Sequence, residues 1–472
     1  MQSDITRQVS ASVYNDSLLR DKIFNFVRDP HRAVVESFGL NSTELLKHVL
    51  NARRQERNYY FWLFLPAIFL WGIIFMIISS EGRALEESAL GLITFVSFLI
   101  AYIIVISKNL KQSDFIKNNL SKNSYNSNFN YEKTDNDLLN NFHNRIGGNV
   151  VFYSGFSPFV GCGLDIGGWS FAVNIDKGKK NIDSKLSPST FEEAELYSAI
   201  SQEIDDLKIQ NLSVYDKIFV NGKTVRNNRD LLPKILGHPV NNVPSEYIEL
   251  VMNNDIKEAR FYKVIQVVDW EGDLVLSAFF RIQKNEKSLF IENNYFLLPP
   301  IGDNLKAVDR TKEHSGIRHF ISWIIGLLFI TIWHTLLSIV KVSEYLTEAI
   351  SNLFGRLEAA QRKIVKSSPD FDYGAETSLR EAVSQTYYSQ HFQKLDKEKY
   401  FKIIDKRIFN LIGDFLESKN IDPSEFKERE TSILNQGVIV SGGSLSGENI
   451  TVGKGAKFQF GVKKGKKISN EK

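Results

Sequence analysis

Histidine and cysteine are the side chains in this sequence best suited to bind a metal or to act as a nucleophile. The eight histidines show no metal-ligand spacing, and the single cysteine, Cys162, cannot build a cysteine site. Cys162 could attack a substrate only if the fold brought a histidine beside it. We therefore expect solvated histidines, no metal, no cofactor and no disulfide within the chain.

A glycine-rich segment, GCGLDIGG at residues 161–168, could in principle bind a phosphate. A dinucleotide-binding loop needs the spacing GxGxxG and a following helix, whose N-terminus binds the pyrophosphate. This segment lacks that spacing, and the sequence WSFAVNI at its end predicts a strand. We therefore interpret these glycines as a structural turn.

Acidic side chains near turns could form a carboxylate pair for acid–base catalysis. Asp165 lies among the glycines, and Asp269, Glu271 and Asp273 lie within the sequence DWEGD. The second group is better explained by a hairpin turn, where Asp and Gly are favoured. With no other catalytic motif in the sequence, we predict no catalytic residue and a protein that is not an enzyme.

His334 is the one ionisable residue in an apolar run that covers residues 320–340. An ionisable group inside a membrane is a candidate for function. The alternative is that His334 lies close to the end of its helix and reaches the membrane surface beside Trp333. We name His334 as a candidate intramembrane functional residue and leave both interpretations open.

The C-terminal tail is strongly basic, with seven lysines and one glutamate from Lys454 to Lys472. A cation near an anionic lipid surface contributes about 1 kcal/mol to binding. A solvated, solubilising tail is the alternative. Nucleic acid is not expected as a partner, because the tail has no folded recognition motif. The candidate contacts to anionic lipid are Lys463, Lys464, Lys466 and Lys467.

Three apolar runs set the organisation of the chain. They cover residues 59–78, 89–107 and 320–340. A helix of about 20 residues crosses the roughly 30 Å hydrocarbon core of a bilayer. The mean hydropathy of the 472 residues is only −0.19 because the polar remainder dilutes these runs. We predict three transmembrane helices in a multi-pass protein of the cell inner membrane.

The charges beside the first two runs predict their orientation. Three arginines precede the first run at residues 53–57, and several lysines follow the second from Lys108. Positive charge is retained on the cytoplasmic side, so the N-terminus and residues 108–318 are expected there. The charges around the third run cancel. If that run spans, the chain after it is extracytoplasmic; if it is re-entrant or interfacial, the C-terminal region remains inside.

The sequence divides into seven regions, in which transmembrane α-helices accompany a soluble α+β domain with an antiparallel sheet. An all-helical C-terminal region then ends in a short β tail. The boundaries are 1–58 for an N-terminal helical arm, 59–107 for a transmembrane hairpin, 108–148 for a polar linker, 149–318 for the α+β domain, 319–341 for the third transmembrane helix, 342–435 for the helical region, and 436–472 for the glycine-rich and lysine-rich end.

Local patterns predict elements inside these regions. Asn41 with Ser42 precedes an apolar helical pattern and predicts a helix start. Residues 261–298 contain three runs of β-forming residues separated by short turns, which predicts an antiparallel meander. An Asn221–Gly222 pair between apolar residues predicts a further hairpin.

Four stretches of the sequence, taken together, resemble a family of uncharacterised bacterial multi-pass membrane proteins that have a cytoplasmic α+β domain and a glycine-rich C-terminal tail. The resemblance covers the chain from about residue 150 onward and implies no known activity. The stretches are YSGFSPFVGCG…GGWSFAVN (153–174), FYKVIQVVDWEGDLVLSAFFR with YFLLPP (261–300), DYGAETSLRE (372–381) and GVIVSGGSLSGENITVGKGAKF (437–458).

These observations predict a membrane-anchored, non-enzymatic protein that acts as a bacterial scaffold, sensor or signalling component. Its expected partners are the lipid bilayer, further copies of the chain, or a protein that the sequence does not identify. The alternative is an oligomeric pore-forming or membrane-disrupting effector, suggested by the apolar helices and the tail. An enzyme that uses the α+β domain is a third, weaker hypothesis.

Overall fold

The computed structural model describes residues 4–79, 87–125, 136–179, 186–254, 256–310 and 317–436. Several predicted features lie outside these ranges. They are the glycine-rich β segment and lysine tail after Gln436, and parts of the predicted linker and hairpin loop.

The described residues form an α+β fold that includes several long helices. The helices are α1 (Asp4–Asn15), α2 (Ser17–Arg28), α3 (Ser42–Ser79), α4 (Glu87–Asn119), α5 (Asn136–His143), α6 (Glu193–Asp205), α7 (Ser245–Asn253), α8 (Ala307–Arg310), α9 (Ile317–Leu353), α10 (Arg356–Ser367), α11 (Leu379–Ala382), α12 (His391–Ser418) and α13 (Ser424–Gln436). The strands are β1 (Val150–Tyr153), β2 (Leu164–Asn174), β3 (Leu212–Asn221), β4 (Ala259–Asp269), β5 (Leu274–Lys284) and β6 (Ser288–Leu298).

The six strands form one mixed sheet in the order β1-β3-β4-β5-β6-β2. Strands β4, β5 and β6 form the predicted antiparallel meander, which is confirmed. The expectation of a wholly antiparallel sheet is wrong, because β1 pairs parallel to β3, with Val150 opposite Ile218. The chain makes β2 and α6 between these two strands, so β1 and β3 are not joined by a tight turn and are free to run in the same direction.

The Asn221–Gly222 pair ends β3 but does not begin a hairpin. The backbone nitrogen of Tyr373 donates a hydrogen bond of 3.1 Å to the Gly222 carbonyl oxygen. A Cβ on Gly222 would lie 2.1 Å from the nitrogen of Gly374. The predicted hairpin is therefore wrong, because a segment far along the chain, and not a second strand, approaches this turn.

The two faces of the sheet have different covers, as the alternation of side chains along a strand requires. One face packs against α6, α7, α12 and α13 in the larger core. On the other face, Phe279 stacks on Phe159 with ring centroids 4.1 Å apart, and Val35 and Phe38 of the N-terminal arm complete the cluster. The N-terminal arm is thus part of the soluble fold as well as the start of the apolar helices.

The C-terminal helices belong to the same core as the sheet. Trp169 of β2 stacks on Phe409 of α12 with ring centroids 4.6 Å apart, and Phe171 packs against Phe426 of α13. The sequence divides 149–318 from 342–435, but the structure joins them around one apolar cluster. The C-terminal region is also less helical than expected, because residues 368–378 have no helix and α11 has only four residues.

The long helices begin and end differently from the expected boundaries. Helix α3 starts at Ser42 as predicted, where the Asn41 side chain accepts a hydrogen bond of 3.1 Å from the Glu44 backbone nitrogen. Helix α4 continues to Asn119, well into the predicted linker, because Phe115 and Ile116 of its last turns pack on the apolar cluster of the N-terminal helices. Helix α5 lies in the same predicted linker.

Among the described residues, two helical segments are long and apolar enough to cross a membrane, Gly91–Asn119 and Ile321–Leu353, and most of their apolar side chains are exposed. Length and composition are the properties that these two segments share with membrane-spanning helices. The side chains of α3 beyond Gly72 lie outside the description, so the first predicted span stays a prediction.

Candidate functional site at the base of the apolar helices

The side chain of His334 on α9 lies against helix α3. Its Nδ1 atom is 2.7 Å from the hydroxyl oxygen of Tyr59 on α3, and its ring meets Tyr59 and Tyr60 with centroids 5.7 and 5.9 Å away. The hydrogen bond and ring contacts join α9 to α3 at one level of the bundle. The structure thus places His334 in a contact between two helices.

The same face of α9 packs closely on its neighbours through small hydroxyl side chains. Thr331, Thr335 and Ser338 are buried, and each donates a hydrogen bond to a carbonyl oxygen of its own helix. Small residues that satisfy their hydroxyls in this way allow two helices to approach. On α4, the Tyr102 hydroxyl donates a hydrogen bond of 3.0 Å to the Ile324 carbonyl oxygen, which fixes α9 against α4.

A cavity of about 710 Å³ opens beside His334, where α1, α2, α3 and α4 meet. Its charged lining residues are Arg20, Glu56, Lys108 and Lys111. Arg20 pairs with Glu56, and the Tyr345 hydroxyl donates a hydrogen bond of 2.8 Å to the same carboxylate. The cavity lies where the apolar parts of the helices meet the polar arm.

Cys162 is buried, with 4% of its surface exposed. Burial raises the pKa of its thiol well above the ordinary value. A thiol that remains protonated and inaccessible is a poor nucleophile. The hypothesis of a Cys162 nucleophile therefore finds no support in its surroundings.

The glycine-rich segment binds a carboxylate of the chain itself. The backbone nitrogens of Gly161 and Gly163 donate hydrogen bonds of 3.1 and 3.2 Å to the two carboxylate oxygens of Glu381. Both glycines have positive φ, and a Cβ on Gly163 would lie 2.3 Å from the Leu297 carbonyl oxygen. Strand β2, not a helix, follows at Leu164. These contacts agree with a structural turn whose amides are already occupied.

The acidic residues of the DWEGD turn point to different partners. Asp273 accepts hydrogen bonds from Lys306 and from the Ile301 backbone nitrogen, and Asp269 accepts one of 2.6 Å from the Tyr400 hydroxyl. A hydrogen bond with Asp4 raises the pKa of Glu271. Their separate partners give these carboxylates structural roles, in line with the interpretation of the segment as a turn.

The sequence did not reveal Asp405, a buried carboxyl group beneath the sheet. Its Oδ1 atom accepts hydrogen bonds of 2.8 Å from Trp169 Nε1 and 2.7 Å from the Tyr295 hydroxyl. Burial raises the pKa of Asp405 to about 6. Its partners lie in β2 and β6, more than 100 residues away along the chain, so no local pattern could have identified the cluster.

The sequence did not reveal Arg380 either, because its hydrogen-bond partners are also far away along the chain. It is fully buried, and its guanidinium donates hydrogen bonds of 3.1 and 2.8 Å to the carbonyl oxygens of Gly272 and Pro299. Burial lowers its pKa to about 10. Arg380 and Glu381 lie in the stretch 372–381, and their partners lie in 153–174 and 261–300, so three of the four stretches that carry the family resemblance meet here.

Other candidate residues have simple outcomes. Within the described ranges, no three His, Cys, Asp or Glu side chains are grouped so that they could hold a metal ion. The expectation of solvated histidines is wrong for His48, which is buried with its Nδ1 atom 3.2 Å from the Tyr14 hydroxyl oxygen. Burial lowers the pKa of His48 to about 3. The candidate lipid contacts Lys463, Lys464, Lys466 and Lys467 lie outside the described residues.

Comparison with known proteins gives one result. The model of the AbeC-like domain matches residues 168–447, which is more than half of the chain. The chain belongs to the AbeC-like domain family. The matched residues begin within β2 and end beyond α13, so they include both the sheet strands β3 to β6 and the helices α12 and α13 that share their core.

No curated protein and no solved structure matches the chain. The family match confirms the expected resemblance to a family of uncharacterised proteins, at the level of the family. Its bacterial origin and membrane nature stay predictions.

Proposed function

We propose that this AbeC-like protein is a non-enzymatic membrane anchor for its own α+β domain, acting as a scaffold, sensor or signalling component through a protein partner or a second copy. The observation that carries the proposal is the belt of exposed apolar side chains on α3, α4 and α9. Aromatic examples are Trp62 at 60%, Phe95 at 64% and Phe329 at 72% exposure. Apolar surface on this scale is rare on soluble monomers and is typical of surfaces that meet lipid or a partner.

Charge pairs between the bundle and the arm support a rigid connection between anchor and domain. Glu348 of α9 binds Arg28 and Arg53 at 2.9 and 3.0 Å. The guanidinium of Arg7 binds both carboxylate oxygens of Asp309 at 2.7 and 2.8 Å. A partner bound to the soluble domain would thus be held at a fixed position relative to the membrane.

The shared core also bears on topology. The sheet precedes α9 in the chain and α12 follows it, yet the two pack together through Trp169 and Phe409. Two segments that form one core lie in one compartment. We therefore favour the alternative in which α9 does not transfer the C-terminal region to the opposite side, and we place both segments in the cytoplasm with the N-terminal arm.

An exposed aromatic side chain supports the partner-binding part of the proposal. Phe156 is fully exposed in the loop between β1 and β2, next to Gly155 with φ of +85°. Large aromatic residues are enriched at the centres of protein interfaces. Phe156 is the side chain of the soluble domain that we expect a partner to cover.

Alkaline carbonate extraction of membranes from cells that express the full chain tests the anchor. We expect the wild-type protein in the membrane pellet. Leu99→Lys places a charge on the exposed face of α4, which costs about 2.5–3.5 kcal/mol at the centre of a span, and should release the protein. The matched control is Leu250→Lys in α7, where Leu250 is similarly exposed, at 51% against 44% for Leu99. A wild-type protein recovered in the soluble fraction would overturn the proposal.

The non-enzymatic part needs its own test. The purified full chain is screened for turnover of nucleotides and phosphodiesters, and no turnover is expected. Turnover that Glu381→Ala or Asp405→Asn abolishes without unfolding the protein would defeat this part of the proposal.

The pore-forming alternative has less support from the described residues. The polar side chains Thr331, Thr335 and Ser338 are buried between helices, while the exposed faces are apolar. Dye release from vesicles discriminates the two hypotheses. Leakage by the wild-type protein that His334→Leu removes would favour the effector.

A further inference from the structure

An apolar groove of about 550 Å³ lies between α3 and α4. Apart from Ser97, which is buried, its lining is apolar and includes Phe69, Ile93 and Ile100. Trp62 and Ile104 line both this groove and the cavity beside His334. The two spaces therefore adjoin at these side chains, and together they offer an apolar part and a charged part.

One face of α4 provides the lining of both parts. Ile93, Ile100 and Ile104 line the groove, and Lys108 and Lys111 line the cavity, at spacings that place all of them on the same side of a helix. From Ile93 to Ile104 the helix rises about 16 Å. Half of the hydrocarbon core of a bilayer is about 15 Å thick. The groove thus has the length of one acyl chain in a single leaflet.

The charged part contains two lysines that are not in direct contact with a carboxylate of the described residues. Lys108 places its Nζ atom 5.3 Å from the centre of the Tyr59 ring. Within the described part of the chain, neither Lys108 nor Lys111 has an ion pair. Glu56, the one acidic side chain that the described residues contribute to the lining, already binds Arg20 and Tyr345. The cavity therefore has positive charge available for a bound anion.

Building on the membrane anchoring proposed above, we propose that the groove and cavity together bind one anionic amphiphile with a phosphate headgroup. An acyl chain lies along the α3–α4 groove, and the phosphate lies against Lys108 and Lys111. Trp62 lines both spaces and Tyr59 lines the cavity, and such aromatic rings favour the headgroup region of a bilayer. A bilayer phospholipid is the occupant that matches both the charge and the length of this site.

Native mass spectrometry of the full chain in a nonionic detergent tests the site. The probes are dioleoylphosphatidylglycerol, dioleoylphosphatidylcholine and inorganic phosphate. We expect phosphatidylglycerol to bind more tightly than phosphatidylcholine, and inorganic phosphate not to compete at equal concentration. Lys108→Gln should weaken phosphatidylglycerol binding about fivefold, the factor that one cation near an anionic lipid contributes.

Two variants serve as controls. Lys341→Gln removes a lysine from α9 outside the cavity, where Lys341 pairs with Glu344 at 2.9 Å, and should leave binding unchanged. A variant with glutamine at the four candidate tail lysines should also keep the preference for phosphatidylglycerol. Ile100→Trp fills the groove and should weaken both phospholipids.

Three results would overturn the site. They are equal binding of the two phospholipids, equal losses in Lys108→Gln and Lys341→Gln, and competition by inorganic phosphate at equal concentration. A preference that only the tail variant removes would assign the lipid to the tail instead. Carbonate extraction separates this site from the anchoring itself, because Lys108→Gln should remain in the membrane pellet even where it no longer selects the anionic lipid.

Discussion

Trp169 and Asp405 are joined by a hydrogen bond of 2.8 Å although α9 lies between them in the chain. Trp169 lies in β2 and Asp405 in α12, and the Tyr295 hydroxyl donates to the same Asp405 oxygen at 2.7 Å. All three side chains are buried. This contact is the reason for expecting the segments before and after α9 on one side of a membrane.

Cysteine labelling tests that expectation. The natural Cys162 is buried and gives little background. Glu246→Cys in α7 and Asn410→Cys in α12 replace exposed residues on either side of α9 in the chain. In sealed vesicles, a membrane-impermeant maleimide should label both positions or neither, because both belong to one folded domain. Detergent should then expose both. Labelling of one position alone would contradict the shared compartment.

Asp405 predicts a pH dependence of stability. Burial raises its pKa to about 6 from the ordinary value of 3.8, so the folded state holds the proton more tightly than the unfolded chain does. Its favourable contribution is complete below the ordinary pKa and is lost as pH rises through about 6, a difference of about 3 kcal/mol.

The measurement for Asp405 is the free energy of unfolding in urea at about pH 4.5 and about pH 7.5. Asp405→Asn cannot ionise, so we expect the fall in stability between these two pH values to be smaller in this variant than in the wild-type protein. An identical fall in both proteins would show that other groups cause the pH dependence.

The contact between Glu381 and the glycine-rich turn predicts a large loss of stability on truncation. Glu381→Ala leaves the partly buried backbone nitrogens of Gly161 and Gly163 without their acceptor, which costs about 1–3 kcal/mol. Glu376→Ala is the matched control in the same segment, because Glu376 is 67% exposed and its pair with Arg32 is worth at most about 1 kcal/mol. Thermal unfolding followed by circular dichroism compares them. Equal effects would mean that the turn does not depend on Glu381.

His334 and Tyr59 predict a coupling that distinguishes a positioning role from a role in transport or gating. His334→Leu and Tyr59→Phe each remove the same 2.7 Å hydrogen bond. The two single variants and the double variant should show a coupling of about 0.6 kcal/mol, typical of hydrogen bonds between membrane helices. Thermal unfolding in detergent measures it. Additive losses of stability would show that the two side chains do not interact energetically. His334 would then again be a candidate for a role in transport or gating.

The sequence alone was sufficient where the signal is local. Three runs of β-forming residues between residues 261 and 298 are separated by short turns, so the meander could be predicted from neighbouring residues. The start of α3 at Ser42 follows from the Asn41 side chain and the apolar pattern after it. The apolar runs were visible because an unbroken stretch of such residues has few alternatives.

Only the tertiary structure decided what depends on distant contacts. The Asn221–Gly222 pair favours a hairpin locally, but residues 372–374 occupy the space where a second strand would begin. The parallel pairing of β1 with β3 and the hydrogen bond between Trp169 and Asp405 likewise join segments that are far apart in sequence. Hydrophobic periodicity reports which face of an element is buried, whereas it does not report which other element covers that face. The sequence therefore predicts an anchor and a domain, whereas only the tertiary structure shows that α12, which follows α9 in the chain, packs on the sheet that precedes α9.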